Sequence, residues 1–136
     1  MMVALFLMFH VLFAVESYAL DPSIFWGTWE SASKKMNIKI VIKDAKNVVV
    51  EINNKVINGL KSSYCYCGQP RKYPFLSLTS SQNDDLHYIY LTIGSDGKNG
   101  DLNILRGFYE FSTVADQREI EETFSYPIEL SKKQEN

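Results

Sequence analysis

Met36-Asn37-Ile38-Lys39-Ile40-Val41-Ile42-Lys43-Asp44-Ala45-Lys46-Asn47-Val48-Val49-Val50-Glu51-Ile52 is the stretch on which the fold turns. Met36, Ile38, Ile40 and Ile42 alternate with Asn37, Lys39, Val41 and Lys43, a strict period of two. Side chains two apart share one face of a strand, so one face here is apolar and the other mostly polar. Asp44-Ala45-Lys46-Asn47 has turn chemistry, because Asp and Asn side chains bond backbone groups one or two residues on. Val48-Val49-Val50-Glu51-Ile52 is β-branched and supplies the partner strand. A hairpin with one wet and one dry face predicts an antiparallel sheet.

The same reading extends in both directions. Upstream, Trp26 to Ser31 is a first strand, and Asp21-Pro22 opens one helical turn toward Phe25, since a capping residue followed by proline suits a helix start. Downstream, Asn53-Asn54-Lys55 is a turn, and Val56 to Tyr66 is a longer, less regular strand with Gly59 at a bend or bulge. Cys67 to Pro74 is a loop broken by Gly68, Pro70 and Pro74. Further strands follow at Phe75 to Thr79, Leu86 to Ile93, Leu102 to Thr113 and about Arg118 to Leu130. Polar turns separate them at Ser80 to Asp85, Gly94 to Asp101 and Val114 to Gln117. No other stretch after residue 19 has a convincing helical period.

That is eight strands joined by short turns. A sheet of sequential antiparallel strands must hide its two edges, and closing it into a barrel removes both. A two-sheet sandwich has a similar strand pattern but uses longer crossing connections. The expected fold is therefore all-β: an eight-stranded antiparallel up-and-down barrel. Such a barrel is filled by side chains or holds one small ligand.

The first 19 residues set the expected compartment. Met1 to Val15 is almost wholly apolar, and Glu16-Ser17-Tyr18-Ala19 has small residues at Ser17 and Ala19. This is the pattern of a secretory signal peptide, although the leading Met1-Met2 carries no Lys or Arg. A single membrane anchor is the rival reading, but Val3 to Val15 is shorter than the roughly 20 residues that a span needs. The expectation is a signal peptide at 1–19, a barrel domain at 20–130 and a polar tail at 131–136, secreted or periplasmic, with no stable membrane span after cleavage.

Composition narrows the partners. The chain has 14 Lys and Arg against 16 Asp and Glu, a formal net charge of −2, and no long block of like sign. Nothing there points to nucleic acid. The sequence asks for no cofactor.

Phe25-Trp26-Gly27-Thr28-Trp29 follows the helical turn and opens the first strand. Gly27-Thr28-Trp29 resembles the G-x-W signature of the lipocalins and the wider calycin group. The resemblance implies a barrel with Trp29 closing one end and a basic residue from a late strand packed across it; Arg118 and Arg106 are the candidates. It also implies binding in the barrel mouth rather than catalysis. The chain is shorter than a usual lipocalin and lacks the C-terminal helix. The small bacterial calycin-like proteins and the periplasmic barrels that inhibit lysozyme are closer in size.

Several constellations are candidates for chemistry. Cys65 and Cys67 are two apart, about 6.5–7 Å between Cα atoms on a strand, at the upper limit for a disulfide. A bend at Gly68 would bring them together. A local disulfide is the expectation, with intermolecular pairing, a redox pair and a metal site as alternatives. A structural zinc site needs four ligands, and the chain has no second Cys/His pair, so no metal is expected. Ser95 to Asp101 fails the calcium-loop register at Lys98 and Gly100 and reads as a hairpin loop. His87 has no nucleophile motif beside it and is placed on the surface or the barrel wall. Asp84-Asp85 and Glu121-Glu122 are adjacent pairs whose members face opposite ways on a strand.

Aromatics crowd the second half, with Tyr88 and Tyr90 on one face and Tyr109 and Phe111 on one face. The expected function is binding of a small apolar ligand in a barrel cup lined by Tyr88, Tyr90, Phe108 and Phe124. The alternative is a protein partner, such as an enzyme to be inhibited, held by the loops Cys67 to Tyr73 and Gly94 to Asp101. An envelope thiol enzyme is a third reading, requiring Cys65 or Cys67 beside His87; the protein is not expected to be an enzyme.

Overall fold

The computed structural model describes residues 21–31, 33, 35–65, 74–82, 85–94, 101–114 and 120–135. The expected signal peptide at 1–19, Arg118, Cys67, the expected loop 67–73 and the expected turn at 95–100 lie outside the described residues. After a 3-10 turn at Pro22–Phe25 come β1 (Gly27–Ser31), β2 (Ile38–Ile42), β3 (Val48–Ile52), β4 (Lys55–Ile57), β5 (Lys61–Cys65), β6 (Phe75–Gln82), β7 (Asp85–Ile93), β8 (Ile104–Val114) and β9 (Ile120–Lys132). All nine form one sheet in the order β4-β3-β2-β1-β9-β8-β7-β6-β5. Every pairing is antiparallel.

The hairpin read from residues 36–52 pairs Ile40 with Val50 and Ile42 with Val48. Its turn is held by Asp44, whose carboxylate accepts from the backbone N–H of Lys46 at 2.9 Å and of Asn47 at 3.0 Å, and from the Asn47 side chain at 2.6 Å. These bonds hold the Asp44 carboxyl below its usual range, the Asn47 side chain contributing most. Asn53 and Asn54 both have positive φ, the backbone of a two-residue hairpin turn into β4.

The strand count corrects the expectation of eight. The segment 56–66 is two strands, broken at Asn58-Gly59-Leu60. Gly59 sits at φ +69°, a region that glycine enters without penalty. β4 and β5 are therefore the two edges of the sheet, and no ladder joins them among the described residues.

The sheet nonetheless curls into a barrel-like shape. The Ser62 hydroxyl on β5 donates to the Ala45 carbonyl in the β2–β3 turn at 2.9 Å. The Ser80 hydroxyl on β6 donates to the Asn58 carbonyl at 2.5 Å. Apolar side chains from β1, β2, β3, β6, β7, β8 and β9 meet on the concave face in one core cluster. Each fully buried Leu, Ile or Phe there contributes about 1.5–3 kcal/mol of transfer free energy.

Toward one end of this core two aromatic side chains are fully buried. The Asp21 carboxylate caps the 3-10 turn by accepting from the Ser23 N–H at 3.0 Å. The turn carries Phe25 into the core, where its ring lies 5.7 Å from that of Tyr64. The Trp29 indole N–H donates to the Phe25 carbonyl at 2.8 Å, so two buried aromatics and the turn form one plug.

Among the described residues the basic side chain over Trp29 is Lys132, not Arg106; Arg118 lies outside them. Lys132 stands directly opposite Trp29 in the β1–β9 register, with its Nζ 5.5 Å from the ring centroid. β9 runs two residues past the expected end at Leu130 to reach it. Arg106 has the opposite parity to the buried Leu105, so it points outward and bonds Glu129 at 2.8 Å. Gly27 gives Lys132 its path: at φ +139°, an added Cβ would lie 2.7 Å from Lys132 Cε.

Candidate functional site

The other end is built by the long strands. β1 pairs with β9 only from Trp29 to Ser31, against Leu130 to Lys132. Below Leu130, among the described residues, β9 is hydrogen-bonded by β8 alone. β7, β8 and β9 thus extend as a wall beyond β1.

Register fixes what this wall presents inward. Ile89, Tyr109 and Tyr126 form one row across β7, β8 and β9. The next row is His87, Phe111 and Phe124, and the outermost is Asp85, Thr113 and Glu122. Tyr109 and Tyr126 stack at 6.2 Å, and His87 lies 5.1 Å from Phe111. Phe124 and Tyr126 are each 39% exposed, so the wall is apolar yet open.

His87 Nδ1 lies 2.7 Å from the Tyr109 hydroxyl, and their rings stack at 6.0 Å. Burial lowers the His87 pKa against an opposing effect of Asp85. Burial pushes the Tyr109 phenol up to about 12, with Tyr126 and Asp85 adding to it. Both groups are therefore neutral at pH 7, and the pair is a hydrogen bond between uncharged partners.

A groove of about 610 Å³ opens beside this wall, between β9 and the β1–β2 connection. Tyr126 and Ile128 line one side, Ser31, Lys35 and Met36 the other. The Ser31 hydroxyl donates to the Met36 carbonyl and accepts from the Ile38 N–H, both at 2.9 Å, and so fixes the connection against the core. A larger depression of about 1010 Å³ lies at the sealed end over Gly27, with Lys43, Lys132 and Lys133 around it.

The four expected cup residues do not share a face. Ile89 and Leu91 are buried inward, so Tyr88 and Tyr90 project outward. There Tyr90 stacks on Phe108 at 5.4 Å and meets Phe75 at 5.0 Å, and Tyr88 meets Phe108 at 5.8 Å. Phe124 stands on the opposite, inner face beside Phe111. Inner residues the sequence reading left out of the cup are Tyr126, Phe111, Tyr109 and His87. Their signal was the pairing of Phe111 with Phe124 in a hairpin, which needs the register to be seen.

Cys65 lies opposite Phe75 on β5, on the outer face. It therefore cannot approach His87, which faces inward. Among the described residues no group of three or more His, Cys, Asp or Glu is placed to hold a metal ion. No helix among them is long and apolar enough to cross a membrane. No protein-family model, characterised protein or solved structure matches this chain.

Proposed function

We propose that this is a lipocalin-like binding protein, secreted or periplasmic, that holds a small, largely apolar ligand at the open end of its curled sheet. The observation that carries the reading is the groove of about 610 Å³ beside Tyr126 and Ile128, in a sheet whose other end is plugged by Phe25 and Trp29. Its volume falls within the range of small-ligand sites. The ligand wall in this reading begins at Tyr126 and Ile128, which line the groove, and continues into the next row at Phe124 and Phe111, rather than using Tyr88, Tyr90 and Phe108. A local Cys65–Cys67 bridge belongs to the same reading, as a staple for the strand end in an oxidising compartment.

A second reading is a protein partner, and one observation favours it: the outward cluster of Phe75, Tyr88, Tyr90 and Phe108. Half-buried tyrosines of this kind suit an interface.

Displacement of a fluorescent apolar dye from the folded protein separates the two. Dye binding that Tyr126→Ala weakens and Tyr88→Ala leaves alone supports the groove. No dye binding, or loss only with Tyr88→Ala, overturns it.

A further inference from the structure

We propose that the wall at the open end selects an organic cation: an alkylammonium or quaternary ammonium group carried on an apolar body. The inference rests on the reading of this wall as a ligand site and adds the charge of what it takes.

Three features of the wall combine. The first is the aromatic field. Tyr109, Tyr126, Phe111 and Phe124 occupy neighbouring positions in two adjacent rows of β8 and β9. Aromatic faces carry negative potential, and several together attract a cation, most of all one too large to be well hydrated.

The second is the position of the carboxylates. Asp85 and Glu122 stand in the next row outward on the same face, with Thr113 between them. Each strand step is about 4.8 Å, so the two carboxylate positions flank the wall roughly 10 Å apart. An ammonium group over Phe111 and Phe124 lies between them.

The third is the lack of positive charge within these rows. None of the described residues in these three rows is Lys or Arg. His87 belongs to the middle row, and burial favours its neutral form. Arg106 is on the outer face, engaged with Glu129. Lys35 lines the adjoining groove together with Tyr126, Ile128 and Glu129, so the groove itself carries one charge of each sign. The carboxylate row sets the orientation: the cationic head toward Asp85 and Glu122, and the apolar body along Tyr126, Ile128 and Met36.

The test uses the folded full chain, three probes with matched tails, and calorimetric titration below their micelle concentrations. The probes are decyltrimethylammonium, its neutral analogue with a tert-butyl head, and decanoate. The expected result is that the cation binds about tenfold tighter than the neutral analogue, and decanoate most weakly. The double variant Asp85→Asn, Glu122→Gln should remove most of the cation's advantage, leaving the part due to the aromatic faces, and leave the neutral analogue unchanged. Equal binding of cation and neutral analogue, or preference for decanoate, overturns the charge assignment while the groove remains a ligand site. No binding by any of the three overturns both. Cation binding that survives the double variant and falls with Tyr88→Ala places the site on the outer face and overturns the assignment to this wall.

Discussion

At the sealed end of the sheet Phe25, Trp29 and Leu105 are fully buried, whereas at the open end Phe124 and Tyr126 keep 39% of their surface in contact with solvent. Both ends carry aromatic side chains on the inner face of the same sheet. What separates them is the reach of neighbouring strands. The 3-10 turn and the β1–β9 ladder cover the first set, and β1 ends at Ser31 before it can cover the second. Covered aromatics stabilise the fold through transfer free energy and packing. Uncovered ones leave that gain for a ligand to complete.

The contrast predicts where substitutions are felt. Phe25→Ala and Trp29→Ala should each destabilise by about 3–5 kcal/mol, read from chemical denaturation, because they open a cavity in the plug. A loss below about 1 kcal/mol at either position would mean that the sealed end is not core. Gly107→Ala should be comparably severe, at about 3 kcal/mol or more, because its Cβ would run into the Tyr90 carbonyl on the adjoining strand. A soluble, equally stable alanine variant would show that β7 and β8 do not pack as described.

Gly27→Ala should lose about 1–2 kcal/mol, since φ +139° disfavours a side chain and Lys132 must give way. Lys132→Met keeps the stem and should lose about 0.5–1 kcal/mol, the cation–π part alone. Equal losses in the two variants would argue that charge, not the path over Gly27, holds the plug.

At the open end the predictions concern protonation and binding. His87 has a folded pKa below its unfolded value of 6.5, so the unfolded chain takes up the proton first. Stability is fully present above about pH 6.5 and declines as pH falls toward the folded pKa. His87→Phe should flatten that part of the profile. Tyr109 shifts the other way: its contribution is present below pH 10 and is lost as pH rises toward about 12. An ultraviolet phenolate titration should show Tyr109 ionising late, alongside Tyr64, whose phenol burial also raises, and Tyr109→Phe should remove its share of the late phase. The smallest effect on folding is expected for Phe124→Ala, under about 1 kcal/mol, with dye binding weakened. A cost equal to that of Phe25→Ala would erase the distinction between the two ends.

The hairpin at 36–52 was legible because Ile38, Ile40 and Ile42 alternate without exception and Asp44 has an unambiguous turn role. The break at Asn58 was not, since Val56 and Leu60 continue the apolar content on both sides of it. Ser80 reads as turn, yet it lies within β6, buried at 4% exposure, because the Asn58 carbonyl satisfies its hydroxyl. The faces of β7 were illegible for a different reason. Leu86, Tyr88 and Tyr90 on one parity are as apolar as Ile89, Leu91 and Ile93 on the other, so alternation gives no direction. Only the neighbouring strands decide it. Lys132 escaped notice because its run of charge, Ser131-Lys132-Lys133, looks like a solvated tail. In the fold Lys133 continues the contact, its N–H donating to the Thr28 carbonyl at 2.8 Å and its Nζ meeting Glu30 at 2.9 Å.

The pairing of β1 with β9 also has a consequence for how the chain folds. β1 to β4 and β5 to β9 are two meanders in which every strand pairs with its neighbour in sequence. Loops that close only short stretches form early, since closure entropy grows with length. The β1–β9 ladder joins Trp29 to Lys132 across most of the chain and adds only three register pairs. It is expected to be the last ladder to form and the slow step in folding. Substitutions at Ser31 or Leu130 should then change the folding rate more than equivalent ones within the β2–β3 hairpin.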